Sequence, residues 1–261
     1  MARVRLEFRD VTKRFPAQKR GAPPVIAVEQ VSFAIEDGEV VSIIGPSGCG
    51  KSTLLNMGAG LDPTSLGDVF VDGERVETPN EHVAFMLQKD LLLPWRTIRE
   101  NVELGLEIQK TPAADRHRIA EELLVKCRLQ DFIHNYPHHL SGGMRQRAAL
   151  ARTLAVDPSV LLMDEPFSAL DAQTKMVLQQ DLAVMLAGAA KTALLITHDL
   201  TEAIALSDRV LVMSQRPGRI IEEIKVDIAD RDNPLERRKH PKVGAYVSDL
   251  MGLLHIDRAA E

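Results

Sequence analysis

Apolar residues along this chain fall into short runs of two kinds. Near the N-terminus residues 4–8 (Val-Arg-Leu-Glu-Phe) alternate apolar with polar, the period-two pattern of a half-buried strand, and 31–35 follows as a second strand after a polar, Pro-containing loop at 17–24. Residues 40–44 are almost wholly apolar, as a strand covered on both faces requires, and 69–71 runs into an Asp72-Gly73 turn. A further buried strand is predicted at 83–87, ending at Gln88.

From about residue 91 to 155 the spacing changes to that of helices, with Ile119, Leu123 and Leu124 on one face and Thr111-Pro112 as a start signal. Apolar runs then return at 160–163, 193–197 and 210–213, separated by helical stretches, the rhythm of a parallel sheet covered by helices. The tail from about Asp227 is polar and closes on an amphipathic helix marked by Val243, Val247, Leu250 and Leu254. The fold class expected is therefore α/β: a mostly parallel core sheet with an N-terminal antiparallel β part and a helical insertion. A single domain over 1–261 is expected, with 4–90 and 156–225 forming the β part and core, 91–155 the helical subdomain and 226–261 a tail. Internal repeats and low-complexity tracts are not evident.

Composition narrows the partners. The 261 residues include 32 basic and 37 acidic ones, a net charge of -5 without the basic excess of a nucleic-acid surface, so no nucleic-acid partner is expected. Cys49 and Cys127 form no metal or disulfide pattern, and no apolar run reaches the ~18 residues of a membrane span, nor is there a signal-peptide pattern at the start. The expected location is cytoplasmic, with any membrane role delegated to a partner.

Chemistry enters at Gly45-Pro46-Ser47-Gly48-Cys49-Gly50-Lys51-Ser52, which matches GxxxxGK[ST] between an apolar strand and a helical stretch starting at Thr53. Glycines let backbone N–H groups turn inward onto phosphate, Lys51 supplies charge for the β- and γ-phosphates, and the Ser52 hydroxyl suits Mg²⁺. The alternative, a chance Gly-rich loop, lacks that flanking context. ATP with Mg²⁺ is the expected ligand, bound by residues 45–53. The strand at 160–163 delivers Asp164 and Glu165 at its C-terminal end, where open α/β sheets bind ligands. Asp164 suits Mg²⁺ and Glu165 the general base that polarises the attacking water. His198, after the strand 193–197, suits a γ-phosphate contact, and Gln88 suits Mg²⁺ or the attacking water. Taken singly, each reads equally as an ordinary strand-end residue.

Leu140-Ser141-Gly142-Gly143-Met144-Arg145-Gln146-Arg147 resembles the LSGGQ signature of the ABC ATPases and the helix that follows it. The motif order of that family continues through Phe15 at the position of its adenine-stacking aromatic, Gln88, Asp164-Glu165, Ser168-Ala169-Leu170-Asp171 at the place of its D-loop, and His198, over roughly residues 4–225. Met144 departs from the commoner glutamine, while Ser141, Gly142 and Gly143 remain.

The resemblance implies a P-loop ATPase whose two copies face head to tail, with Ser141 to Met144 of one closing over the nucleotide of the other. Segments 90–97 (with Trp95, the only tryptophan) and 213–220 are similar to those of importers for nitrate, sulfonates and taurine. That likeness implies a homodimer at the cytoplasmic face of a bacterial inner membrane, bound to transmembrane permease subunits and served indirectly by an extracytoplasmic solute-binding protein. The rival is a soluble ABC ATPase; the single cassette argues against a translation factor, and the Leu-Pro-Trp segment argues against iron–sulfur cluster assembly, which the layout alone leaves open. His138-His139 reads as a polar loop rather than a metal site, since no further ligand accompanies it.

Overall fold

The computed structural model describes residues 3–16, 23–168 and 170–255, so most of the loop expected at 17–24, as well as Ala169 and the last six residues, lies outside the described residues. In chain order the elements are β1 (Val4–Phe15), β2 (Val25–Glu36), β3 (Val40–Ile44), α1 (Lys51–Gly58), β4 (Leu66–Val71), β5 (Glu74–Arg75) and β6 (Val83–Met86). Three longer helices follow, α2 (Ile98–Ile108), α3 (Ala113–Lys126) and α4 (Gly142–Ala155), then β7 (Val160–Asp164), α5 (Ala172–Gly188), β8 (Thr192–Ile196), α6 (Leu200–Leu206), β9 (Arg209–Met213) and β10 (Ile220–Lys225). The last two are α7 (Pro234–Arg237) and α8 (Lys242–Leu253).

Among the described residues the strands form two sheets. An antiparallel sheet has the order β2-β1-β4-β5, and a six-stranded sheet the order β10-β9-β3-β8-β7-β6, parallel except for β10, which runs antiparallel on the β9 edge. Strands β3 and β8 are buried at every residue, which explains their unbroken apolar sequence: helices or the second sheet cover both faces. Phe8, Val11, Val31 and Val69 of the antiparallel sheet share one apolar core with Leu54 and Leu55 of α1 and Val41 and Ile43 of β3. The opposite face packs against α2, α3 and α4 through Leu106, Leu124 and Leu150.

Two segments differ from the sequence reading. Residues 91–97, expected to open the helical region, instead prolong a loop that begins at Leu87, because Pro94 interrupts and the buried Asn101 holds the chain open: its side chain accepts from Leu93 N at 2.7 Å and donates to Leu93 O and Arg96 O. Helix α2 starts only at the Thr97 cap, whose hydroxyl and backbone N–H exchange bonds with Glu100 in a capping box. Strand β1 runs seven residues further than its alternating stretch, past a bulge where Asp10 adopts φ 49°. The expected C-terminal amphipathic helix is α8, with Val243 and Leu250 buried against α6 and β9 and Val247 packed beside them. No helix among the described residues is long and apolar enough to cross a membrane.

Candidate nucleotide site

The site grows from the end of β3. After Ile44 the chain turns through residues 45–50 and enters α1 at Lys51. Gly50 caps that helix at φ 110°, a conformation costly for any side chain, and a Cβ there would lie 2.4 Å from Val28 Cγ1. The loop can therefore seat itself against β2 only with glycine at this position. Lys51 is nearly buried, and its ammonium donates to Gly45 O at 2.8 Å and Pro46 O at 3.0 Å. Both partners are carbonyls, so the charge itself is left free to meet an anion.

The loop opens into a cleft of about 710 Å³, lined at one end by Ser47, Gly48, Gly50, Lys51, Ser52 and Thr53 and at the other by Phe15 and Val25. Phe15 stands at the rim of β1, partly exposed, with the Lys13 ammonium 5.1 Å from its ring centre. Cys49 points the other way, buried in the core between the sheets.

The C-terminal end of β7 brings the carboxylates to the same cleft. Asp164 is half-buried, and burial raises its pKa, opposed by a hydrogen bond from the Ser52 hydroxyl and by the Lys51 charge. Glu165 lines the cleft and sits at φ 45°, in the left-handed region, with its N–H donating to Ile196 O of β8 at 3.0 Å. Three side chains converge on it. Gln88 Nε2 donates to Glu165 Oε2 at 3.3 Å and to Ser168 Oγ at 3.1 Å; Ser168 Oγ donates to Glu165 O at 3.0 Å; His198 Nδ1 is 3.4 Å from Glu165 Oε2. Gln88, Glu165 and His198, far apart in sequence, thus meet at one carboxylate oxygen.

Ser141, Gly142, Gly143 and Met144 do not line this cleft. Ser141 caps α4, its hydroxyl accepting from Met144 N at 3.4 Å, and Ser141 and Gly142 are exposed. Asp171 caps α5 in the same way, accepting from Thr174 N at 3.0 Å, and these bonds hold its carboxyl below its ordinary range. Gly143 lies so close to Thr174 that a Cβ would reach its Cγ2 at 2.4 Å. Ser141, Gly142 and Asp171 are exposed, Gly143 and Met144 are half-buried, and none of them lines the cleft, whereas the phosphate loop and Glu165 do, with Asp164, Gln88 and His198 adjoining.

Several residues outside the sequence expectations join these groups. Gln146 Nε2 of α4 donates to Gln88 O at 3.1 Å, Arg145 pairs with Asp90 at 2.9 Å, and Arg152 donates to the carbonyls of Asp90 and Leu91. The segment after Gln88 is thereby tied to the helix that starts at Ser141. Lys175 of α5 bonds Asp199, the neighbour of His198, at 2.9 Å. Only the polar character of these positions was visible in sequence; their partners lie 24 to 62 residues away. Trp95 is 71% exposed, and His138 and His139 pack on Tyr136 in a short turn, with no cluster of three metal-ligating residues among the described residues.

Comparison with known proteins agrees with this arrangement. A family model described as ABC transporter matches residues 28–168. The nitrate import ATP-binding protein of Synechocystis sp. is 41% identical over 256 residues, 96% of this chain and 95% of that protein. The taurine import ATP-binding protein of Roseobacter denitrificans is 42% identical over 234 residues, 88% of this chain and 87% of its own length. Among solved structures, the ATP-binding cassette MJ0796 in a dimeric post-hydrolysis state with ADP and Pi aligns at a TM-score of 0.74 and 32% identity, over 86% of this chain and all of that one.

Proposed function

The chain belongs to the ABC transporter family as an ATP-binding subunit with ATPase activity, and within it we propose that this protein drives an importer for a small solute such as nitrate, an aliphatic sulfonate, taurine or a related organic compound. Relatives so named align with 86–96% of the chain at 41–42% identity, which supports the importer reading.

In this reading Lys51 and the loop N–H groups hold the phosphates and Phe15 stacks on the base. Glu165 takes a hydrogen bond from the attacking water and draws its proton, with Gln88 and His198 fixing the carboxylate and, through it, the water. The donors fit Mg²⁺: the Ser52 hydroxyl bears on the Asp164 carboxyl, Gln88 reaches Glu165, the next residue along, and all three offer the hard oxygens that ion prefers. The raised pKa of Asp164 marks a buried carboxylate short of positive charge, which a bound cation would supply. When bound, Mg²⁺ would neutralise charge on the phosphates.

The observation that carries the two-copy mechanism is the separation of the two groups: none of Ser141 to Met144 lines the cleft of its own chain, and Ser141 and Gly142 are exposed, so in this reading they complete a site only across from a second copy. There the Ser141 hydroxyl and the N-terminus of α4 would meet the γ-phosphate. The exposed Trp95 and the loop 87–97, braced by Asn101 and Arg152, offer a contact for a permease, and closure of the dimer would move that contact through Gln88 and Gln146. The chain would then work as a peripheral subunit at the cytoplasmic face of an inner membrane, with a solute-binding protein acting on the far side.

The test is capture of tagged Glu165→Gln protein from native membranes with and without Mg-ATP. Recovery of a multi-spanning permease is expected and would narrow the solute; recovery of soluble partners alone would move the reading to the non-transport ABC ATPases.

A further inference from the structure

The loop 214–219, between β9 and β10, sends Arg216 into the lining of the cleft, and its packing is closely constrained. Gly218 N donates to Ala27 O at 2.9 Å and Glu29 N to Gly218 O at 2.9 Å, so the loop is pinned onto β2. Arg219 pairs with Glu29 at 2.5 Å, and the Ser214 hydroxyl accepts from Arg219 N and donates to Pro217 O. These ties leave Arg216 at the tip, where it lines the cleft.

The Arg216 guanidinium donates through Nε at 3.1 Å and Nη2 at 2.8 Å to one acceptor, Gly48 O of the phosphate loop. A guanidinium has five N–H donors and stays charged at all working pH values, so three donors and the full charge remain. Its neighbour Arg219 is neutralised by Glu29, whereas no ion pair among the described residues involves Arg216. Of the described residues that line the cleft, Lys51 and Arg216 are the cations and Glu165 the anion.

We propose that Arg216 is a second cationic ligand of the nucleotide, donating to its phosphate chain from beside the phosphate loop while gripping the Gly48 carbonyl. The inference rests on the reading of this cleft as the ATP site. Resting on the loop carbonyl places the planar fork where it can bond an anion held by that loop, the geometry for which arginine suits phosphate. The contact is indifferent to the γ-phosphate, so it strengthens ADP as well as ATP. Because the side chain is exposed, its interaction with phosphate is screened by salt.

The experiment measures Kd for ATP and ADP with the full chain over a series of salt concentrations, for wild type, Arg216→Gln, Arg216→Lys and Lys51→Ala. Arg216→Gln keeps a donor for Gly48 O but no charge. It is expected to weaken both nucleotides about tenfold, the scale of one charge-assisted hydrogen bond, and to flatten the salt dependence. Arg216→Lys is expected to restore the salt dependence and part of the affinity. Wild-type affinity in Arg216→Gln would overturn the proposal, and so would a weakened Kd with unchanged salt dependence, which would make Arg216 a brace for the loop. If Lys51→Ala also bound both nucleotides as wild type does, the ATP-site reading itself would fall; if Lys51→Ala alone lost binding, only the role of Arg216 would fall.

Discussion

Replacing Gly218 by alanine perturbs the phosphate loop from behind without touching any side chain in the cleft. A Cβ at Gly218 would lie 2.0 Å from Cys49 O and 2.7 Å from Met213 Cε. An ordinary contact between carbon and carbonyl oxygen is roughly 3.3 Å, so one side must yield by about 1 Å. Met213 is a flexible side chain and can move, but the Cys49 carbonyl belongs to the backbone that leads into Gly50 and α1. Gly218 can retreat only by giving up its bonds with Ala27 O and Glu29 N. Losing two such bonds costs about 1–3 kcal/mol, similar to the usual cost of overpacking.

At roughly 2 kcal/mol the melting midpoint of a chain of this size should fall by about 4–8 °C. Since the strain discharges into the phosphate loop, affinity for ATP should fall with it. The assay is thermal unfolding paired with ATP titration, with Gly244→Ala as the control in α8, where a Cβ meets nothing within 4 Å. A Gly218→Ala protein with wild-type melting and wild-type affinity would refute the claim that this loop is wedged against the phosphate loop.

The control is a prediction of its own: Gly244→Ala should raise stability by about 0.5–1 kcal/mol, because alanine loses less backbone entropy in a helix, and denaturant unfolding would read the gain. Asp164→Asn should be more stable than wild type without ligand at neutral pH, yet inactive with Mg-ATP. Burial raises the Asp164 pKa in the fold, so the wild-type fold prefers the protonated acid, and that preference is lost as pH rises through the raised pKa. The stability gap between the two proteins should therefore shrink on acidification toward the ordinary carboxylate range. A gap that is absent at neutral pH, or that widens in acid, would contradict the assignment.

How much of this was legible in the chain differs from part to part. The central strands β3, β7 and β8 announce themselves as apolar runs because both their faces are covered. The phosphate loop is legible because its chemistry is local: the eight consecutive residues Gly45 to Ser52 do the work. Strand β10 escaped because an edge strand with Glu222, Glu223 and Lys225 shows little apolar pattern, and the second half of β1 because Asp10, Thr12, Lys13 and Arg14 break the alternation at a bulge. Residues 91–93 look like the start of a helix, but Pro94 and the buried Asn101 make them a loop. Least legible were Arg216 and the ties of α4 to the segment after Gln88, since an arginine in a polar loop carries no sign of the carbonyl it will meet 168 residues away. Motif order put Gln88, Glu165 and His198 in one site, with Gln88 expected at Mg²⁺ or the attacking water and His198 at the γ-phosphate; that both side chains meet one oxygen of Glu165 is legible only in the fold.

The central claim is that one nucleotide site takes its phosphate loop from one copy and Ser141 to Met144 from another. The most direct measurement mixes two inactive variants, Lys51→Ala, with a disabled loop, and Ser141→Arg, with a disabled signature, and reads ATP hydrolysis against each alone. In the mixed dimer one site pairs an intact loop with an intact signature, so activity absent from both separate proteins should return on mixing. Activity in Ser141→Arg alone, or a mixture as inactive as its components, would contradict the shared site.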